Sequence, residues 1–269
     1  MAATLAILDG AVMAPADAQL PVTDEGFIRG DGAFEVIRLY DGKPYALDAH
    51  MTRMGGSAGN LRLPFDEGAV RADIITLIDA AGAPDAALRM IVTRGGRRVG
   101  LIEELKPLPD SISLASITYA PTRIMDGIKS LSYGANMLAT RLAKEKDADE
   151  ALLVTPHGRV LEGPTTSFFY SLDGETLHTP PLEDHILDSI TRRLVIAVSG
   201  ATERVTAAED LASVTEAFMA STLREVHPVH AIDGRDLPAA PGPASALAAE
   251  QVRQRITEEL AAMPAPASA

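Results

Sequence analysis

The chain has 269 residues, enough for one large domain or two modest ones, and 46% of them are hydrophobic, which is ample for a buried core. A formal net charge of −13, with no cluster of Lys and Arg interleaved with aromatics, argues against a nucleic-acid partner, and the absence of cysteine excludes disulfides, thiolate metal sites and cysteine nucleophiles. The opening "MAATLAILDG" lacks the charged start and long apolar run of a secretory leader, and no apolar stretch reaches bilayer length, so a cytoplasmic protein with no membrane attachment and no metal is expected.

In chain order, "AILDGAVM" and "FEVIRLYDGKPYALDAH" each place an Asp-Gly pair between β-favouring runs, the chemistry of a tight hairpin. Asp48 is expected to cap a short helix in "AHMTRMGGSAGNLRLP" that Pro64 ends, and "DEGAVRADIITLIDAAGAP" follows with Val70, Ile74, Leu77 and Ile78 at helical spacing. "ALRMIVTRG" and "SISLASITYAP" read as strands separated by a long polar loop, "GGRRVGLIEELKPLPD". After Pro121 come a helix from about Ala135, strands "EALLVT", "RVLEG", "SFFYSL" and "TLHTP", a helix from Ser189, and the strand "AFMAS". This pattern divides the chain into residues 1–120, a linker at 121–126, and residues 127–269, ending in a low-complexity tail "MPAPASA".

Lys129 stands between Ile128 and Leu131 in "GIKSLSYGANMLA". An amine held against an apolar wall has its pKa drawn down from about 10.4, which makes the neutral nucleophile available for Schiff-base chemistry. Other segments add to it. "GRVLEGPTTSFFYS" sets Glu162 at a strand end beside small hydroxyl residues, "LDSITRR" starts a helix over Ser189, Ile190 and Thr191 where free amides suit a phosphate, and "MASTLREV" brings Ser221 and Thr222 to another strand end. Each also has an ordinary use: Glu162 as a hairpin acid, Ser189 as a helix cap, Ser221 and Thr222 as β residues.

The ordered set "RGDGAFEVIRLYDGKPYALDAHMTRM", "IKSLSYGANMLA", "DEALLVTPHGRVLEGPTTSFF", "TPPLEDHILDSITRR" and "STLREVHPV" resembles the class IV aminotransferases, the fold-type IV enzymes of pyridoxal phosphate. D-amino-acid aminotransferases, branched-chain aminotransferases and aminodeoxychorismate lyases make up the group. The resemblance spans residues 24 to 234 and implies a two-domain α/β fold, with a small N-terminal α/β domain and a larger, β-rich cofactor-binding domain carrying helices. It also implies that pyridoxal 5'-phosphate bonds to Lys129, which later shuttles the substrate proton, and that Glu162 faces the pyridine nitrogen. Arg53, the helix start at Ser189, Ile190 and Thr191, and the pair Ser221 and Thr222 would hold the phosphate, with Tyr133 near the phenolic oxygen. Members are homodimers whose sites borrow a loop from the partner.

The resemblance leaves the substrate open. D-amino-acid enzymes have a tyrosine where this chain has Phe34, and an Arg-x-His pair that this chain lacks. Arg29 and Arg97, with Arg98 as a substitute, are the expected carboxylate clamp. Branched-chain members also carry phenylalanine at the position of Phe34, whereas "DGIKSL" is closer to the D-amino-acid pattern. A transaminase acting on an amino acid, with a D-amino acid favoured, and a 2-oxo acid such as 2-oxoglutarate or pyruvate is expected, with a possible (R)-amine side activity. The alternatives are a branched-chain L-amino-acid aminotransferase and an aminodeoxychorismate lyase. Arg224 replaces the small residue most members have, and would either reach substrate or pair with Glu225 or another acid.

Overall fold

A computed structural model describes residues 2–263; most of the C-terminal tail therefore lies outside the described residues. The chain folds into two compact units. The first comprises residues up to Pro107, the short segment Ile128–Tyr133 and the chain from Ile256 onward; the second comprises Leu108–Gly127 and Gly134–Arg255. Segment 128–133 thus groups with the first unit, although the sequence pattern alone assigns it to the second half of the chain.

In the first unit β1 (Ala3–Leu8) and β2 (Ala11–Met13) form the expected hairpin, with Asp9 and Gly10 both at positive φ. A short helix α1 (Glu25–Arg29) is capped by Asp24, whose carboxylate accepts from the Gly26 amide. β3 (Gly32–Tyr40) turns through Asp41 and Gly42 into β4 (Lys43–Pro44). Helix α2 (Leu47–Leu61) begins one residue before Asp48, which is therefore inside the helix; Ala46, in the left-handed region, occupies the cap position without a side-chain bond. Helix α3 (Glu67–Ala80) is capped by Asp66 and buries Val70, Ile74, Leu77 and Ile78 as the spacing predicts.

β5 (Ala86–Thr93) and β6 (Arg98–Glu103) then pair directly, which corrects the long loop expected over 95–110. "RVGLIE" is short and bounded by charge, so its strand character comes from pairing with β1 as well as β5 rather than from a local pattern. The sheet order is β2-β1-β6-β5-β3-β4, all antiparallel. One face, carrying Ile37, Leu39, Leu88, Met90, Val92 and Ile102, packs with Met51 and Met54 of α2 and Ile74 and Leu77 of α3 in a continuous core.

The second unit holds β7 (Ile112–Thr118), α4 (Gly134–Glu145), β8 (Glu150–Val154), β9 (Ser167–Ser171), β10 (Leu177–Thr179), α5 (Ile190–Ser199), β11 (Thr202–Glu203), β12 (Glu216–Ser221), β13 (Glu225–Ile232), β14 (Arg235–Asp236) and most of α6 (Pro243–Ala262). Its mixed sheet runs β11-β10-β9-β12-β13-β7-β8, with β14 on β13. The expected strand at "RVLEG" reduces to isolated bridges, Val154 to Val160 and Arg159 to Ala207. Phe168, Tyr170, Met219, Val229, Leu152 and Leu114 fill one core, while Ala139 and Ala143 of α4 pack with Ala151 and Leu153 in another. Among the described residues no helix is long and apolar enough to cross a membrane. The result is the mixed α/β fold that the sequence implies.

Candidate active site

In the first unit, residues 129–131 lie along the free edge of β3. The Phe34 amide donates to the Lys129 carbonyl at 3.1 Å, the Leu131 amide donates to the Gly32 carbonyl at 2.9 Å, and Ala33 pairs with Ser130 in antiparallel register. A third bond, from the Lys129 amide to Ser57 Oγ of α2 at 3.1 Å, completes the anchorage. Gly32 permits it, because a Cβ there would collide with Leu131 and the Val92 carbonyl. Directly opposed residues of an antiparallel pair project to the same side, so Lys129 and Phe34 share a sheet face, the one that α2 and α3 leave uncovered. The Lys129 Nζ accordingly lies 4.6 Å from the Phe34 ring centroid and 5.9 Å from that of Tyr133, and the two rings meet edge to face at 5.2 Å.

Glu35, one residue on, projects to the opposite face and meets α2. Arg53 donates to it through Nε at 2.7 Å and Nη2 at 2.6 Å, and His50 Nδ1 is 2.7 Å from the second carboxylate oxygen. Glu35 and His50 are fully buried. Burial alone would raise the Glu35 pKa, but the hydrogen bonds and charge of Arg53 and the bond from His50 outweigh it and hold the group at about 2. Burial lowers the His50 pKa against the pull of Glu35, so the ring is neutral, donates from Nδ1, and presents Nε2 as an acceptor. The helical spacing of His50 and Arg53 and the strand position of Glu35 are visible in the sequence, yet only Arg53 is singled out there, through the family resemblance.

In the second unit, Glu162 Oε1 accepts from the Leu187 amide at 3.0 Å, two residues ahead of Ser189. Burial, followed by the Glu162 charge, raises the pKa of the nearby Tyr119 phenol. Ser189 caps α5 by accepting from the Arg192 amide at 3.3 Å. The first intrahelical bond runs from the Arg193 amide to the Ser189 carbonyl, so the amides of Ile190 and Thr191 have no partner within the helix. Ser221 ends β12, and Thr222 follows in the turn to β13.

Arg224, in the same turn, reaches back to Glu150 of β8, which also accepts from Thr166 Oγ1 at 2.7 Å. Of the two roles open to Arg224, the ion pair with a neighbouring acid is the one present. Gly163, next to Glu162, packs so closely that a Cβ would strike Thr166, Met219 and Glu150. The carboxylate of Glu162, the start of α5 and the Ser221–Thr222 turn thus belong to one closely packed frame.

The three arginines expected to clamp the substrate carboxylate have acid partners within the first unit. Arg29 pairs with Glu25 one helical turn back, Arg97 with Asp9 at 2.8 Å, and Arg98 with Asp73 at 2.7 Å. Taken unit by unit, the residue types suit pyridoxal phosphate: the first unit offers an amine beside aromatic rings, and the second an acid bound to a backbone amide close to a capped helix start.

Residues 32–232 match the family model described as amino-transferase class IV. A putative branched-chain-amino-acid aminotransferase of Methanocaldococcus jannaschii is 31% identical over 253 residues, 85% of this chain and 88% of that one. A D-alanine aminotransferase of Bacillus licheniformis is 31% identical over 88% of this chain and 92% of its own. A bifunctional aminodeoxychorismate lyase and D-amino acid transaminase of Mycobacterium tuberculosis is 29% identical over 87% and 93%. Among solved structures, the branched-chain aminotransferase of Thermoproteus uzoniensis with norvaline superposes with a TM-score of 0.87 at 27% identity, covering 96% of each chain. The PLP-bound form of a hypothetical aminotransferase from Mycobacterium tuberculosis gives 0.83 at 27% identity, over 95% of this chain and 99% of that one. Class IV aminotransferases use pyridoxal phosphate, and with the family model covering well over half of its length this chain belongs to that family.

Proposed function

We propose that the enzyme transfers an amino group between an amino acid, with D-amino acids preferred, and a 2-oxo acid such as 2-oxoglutarate or pyruvate, and that Lys129 is its catalytic residue. The observation that carries this is the placement of the Lys129 amine 4.6 Å from the Phe34 ring on a segment fixed through its backbone by three hydrogen bonds. When bound, pyridoxal phosphate supplies an electrophilic aldehyde carbon and a ring that withdraws electrons from the substrate Cα. Lys129 Nζ would hold that carbon, with loss of water, and would carry the proton taken from Cα. Phe34 and Tyr133 border one side of the amine and keep solvent from it there. Glu162, oriented by the Leu187 amide, would face the ring nitrogen and keep it protonated. Arg53 and the amides of Ile190 and Thr191, with Ser189, Ser221 and Thr222, would hold the phosphate.

A guanidinium is proposed to bind the substrate carboxylate. Of Arg29, Arg97 and Arg98, Arg29 leaves its present partner at least cost, because an exposed pair one turn apart is worth under about 1 kcal/mol. Arg98 would abandon the buried Asp73. The preference for D-amino acids rests on "DGIKSL"; a branched-chain L-amino-acid enzyme is the second reading, supported by Phe34 and by the relative from Methanocaldococcus jannaschii. A cytoplasmic homodimer is proposed on family resemblance, to be checked by light scattering. Borohydride reduction and peptide mapping should place the cofactor on Lys129; label on Lys144 or Lys146 would refute the assignment. Single-turnover bleaching with paired D- and L-alanine, glutamate and leucine decides the substrate, and faster bleaching with L-leucine would favour the second reading.

A further inference from the structure

Glu150, at the start of β8 in the second unit, is a single carboxylate shared by two turns of the chain. It is only 4% exposed, and its two oxygens are divided between those turns. Oε1 accepts from Thr166 Oγ1 at 2.7 Å, and Oε2 accepts from Arg224 Nη1. Thr166 closes the turn that carries Glu162: the Gly163 amide donates to the Thr166 carbonyl at 2.8 Å, and the Glu162 carbonyl accepts from the Leu153 amide of β8 at 2.9 Å. A Cβ on Gly163 would lie 2.2 Å from Thr166 Oγ1, 2.5 Å from Met219 Cε and 2.9 Å from Glu150 Oε1, so this turn has no slack. Arg224 closes the other turn. Ser221 pairs with Glu225 across a short loop, the Arg224 amide donates to the Ser221 carbonyl at 3.2 Å, and Glu225 completes the reversal at φ 55°. Thr222 therefore lies between Ser221, fixed by the strand ladder, and Arg224, fixed by Glu150.

A buried ion pair is weak filling for a core, since apolar side chains of similar volume often serve as well or better. What it adds is direction. A carboxylate with one oxygen on each turn admits one relative placement of the two. We propose that Glu150 and Arg224 are positioning residues, holding the Ser221–Thr222 turn in register with the turn that carries Glu162 so that both are set before the cofactor arrives. The proposal deepens the reading in which Ser221 and Thr222 hold the phosphate and Glu162 the ring nitrogen, and it rests on that reading. A loop ordered in advance contributes its contacts without the cost of immobilising it on binding. Because Arg224 acts on the phosphate turn and Thr166 on the ring-nitrogen turn, the two arms of the carboxylate have separable effects.

The test is equilibrium dialysis of the full chain against pyridoxal 5'-phosphate and, separately, pyridoxal, which has the same ring and aldehyde without the phosphate. Arg224→Ala alone would strand the Glu150 carboxylate, so the informative variant is Arg224→Ala with Glu150→Gln, in which glutamine keeps an acceptor for Thr166. Arg224→Lys and Thr166→Val accompany it. In the double variant, which urea unfolding should show to keep most of its stability, the Kd for pyridoxal phosphate should rise about 10-fold, the loss expected for one hydrogen bond to a charged group. The Kd for pyridoxal should stay within twofold. Arg224→Lys should recover part of the loss, and Thr166→Val should raise both Kd values by a common factor. A pyridoxal phosphate Kd within twofold of the unaltered protein in the double variant would overturn the proposal. So would a parallel rise for the two ligands in that variant, the mark of a frame loosened throughout. Failure of the underlying reading is seen separately, as unaltered protein that binds the two ligands equally well.

Discussion

Replacing Glu35 with glutamine should destabilise the first unit by about 3 kcal/mol at neutral pH, and the penalty should fade in acid. The magnitude follows from the carboxylate being held at about 2 against an ordinary 4.5, a shift in which the bonds from Arg53 and His50 outweigh the cost of burial. At about 1.4 kcal/mol per unit, the ionised form is favoured over the neutral form by about 3 kcal/mol, and Glu35 is fully buried, so solvent screens little of it. Glutamine copies the neutral carboxyl. Because the folded pKa is depressed, the advantage of the natural residue is complete above pH 4.5 and is lost as pH falls toward 2, where Glu35 takes up its own proton. Other carboxylates titrate alike in both proteins and cancel in the difference. The two units need not unfold together, so the assay is amide hydrogen exchange read at β3 and α2 in both proteins from about pH 7 to about pH 3. A difference below about 1 kcal/mol at neutral pH, or one that does not shrink with acid, would refute this account of the Glu35 cluster.

Arg224→Ala should cost about 3 kcal/mol, because it strands Glu150, only 4% exposed, with a single hydroxyl partner; combining it with Glu150→Gln should recover much of the loss in urea unfolding. Ser189→Ala removes the α5 cap and should cost about 1 kcal/mol by calorimetry, and equilibrium dialysis should show weaker retention of pyridoxal phosphate but not of pyridoxal. Lys129→Ala should lower turnover by more than about a thousandfold with the fold intact by circular dichroism.

Local chemistry made the helices and hairpins of the first unit legible: Asp-Gly turns, the Asp66 cap and the spacing of Val70, Ile74, Leu77 and Ile78 all act within a few residues. What escaped depends on distant partners. β6 is a strand because β1 and β5 flank it, and nothing in "GGRRVGLIEELKPLPD" announces them. β13 contains Pro228, usually a mark against a central strand, but its ladder with β7 opens only at Val229, so the missing donor costs nothing on that side. α6 is rich in alanine and carries little apolar periodicity to reveal it. Among the candidate residues, Lys129 and Glu162 could be singled out from their flanks and from motif order. Glu35 and His50 were hidden, since a buried acid is recognisable only once the cation that neutralises it has been located.

The seam that Lys129 makes along β3 bears on how the polypeptide is born. A ribosome releasing this chain from its N-terminus delivers the six-stranded sheet early, but the backbone of Gly32 and Phe34 waits for residues 129 to 131, about a hundred residues later, to close that edge. Until then the nascent sheet exposes unmet amides and carbonyls that invite mispairing with neighbouring chains, a hazard for chaperones to contain. A fragment cut at Pro107 keeps that open edge permanently, and should precipitate where the whole chain does not.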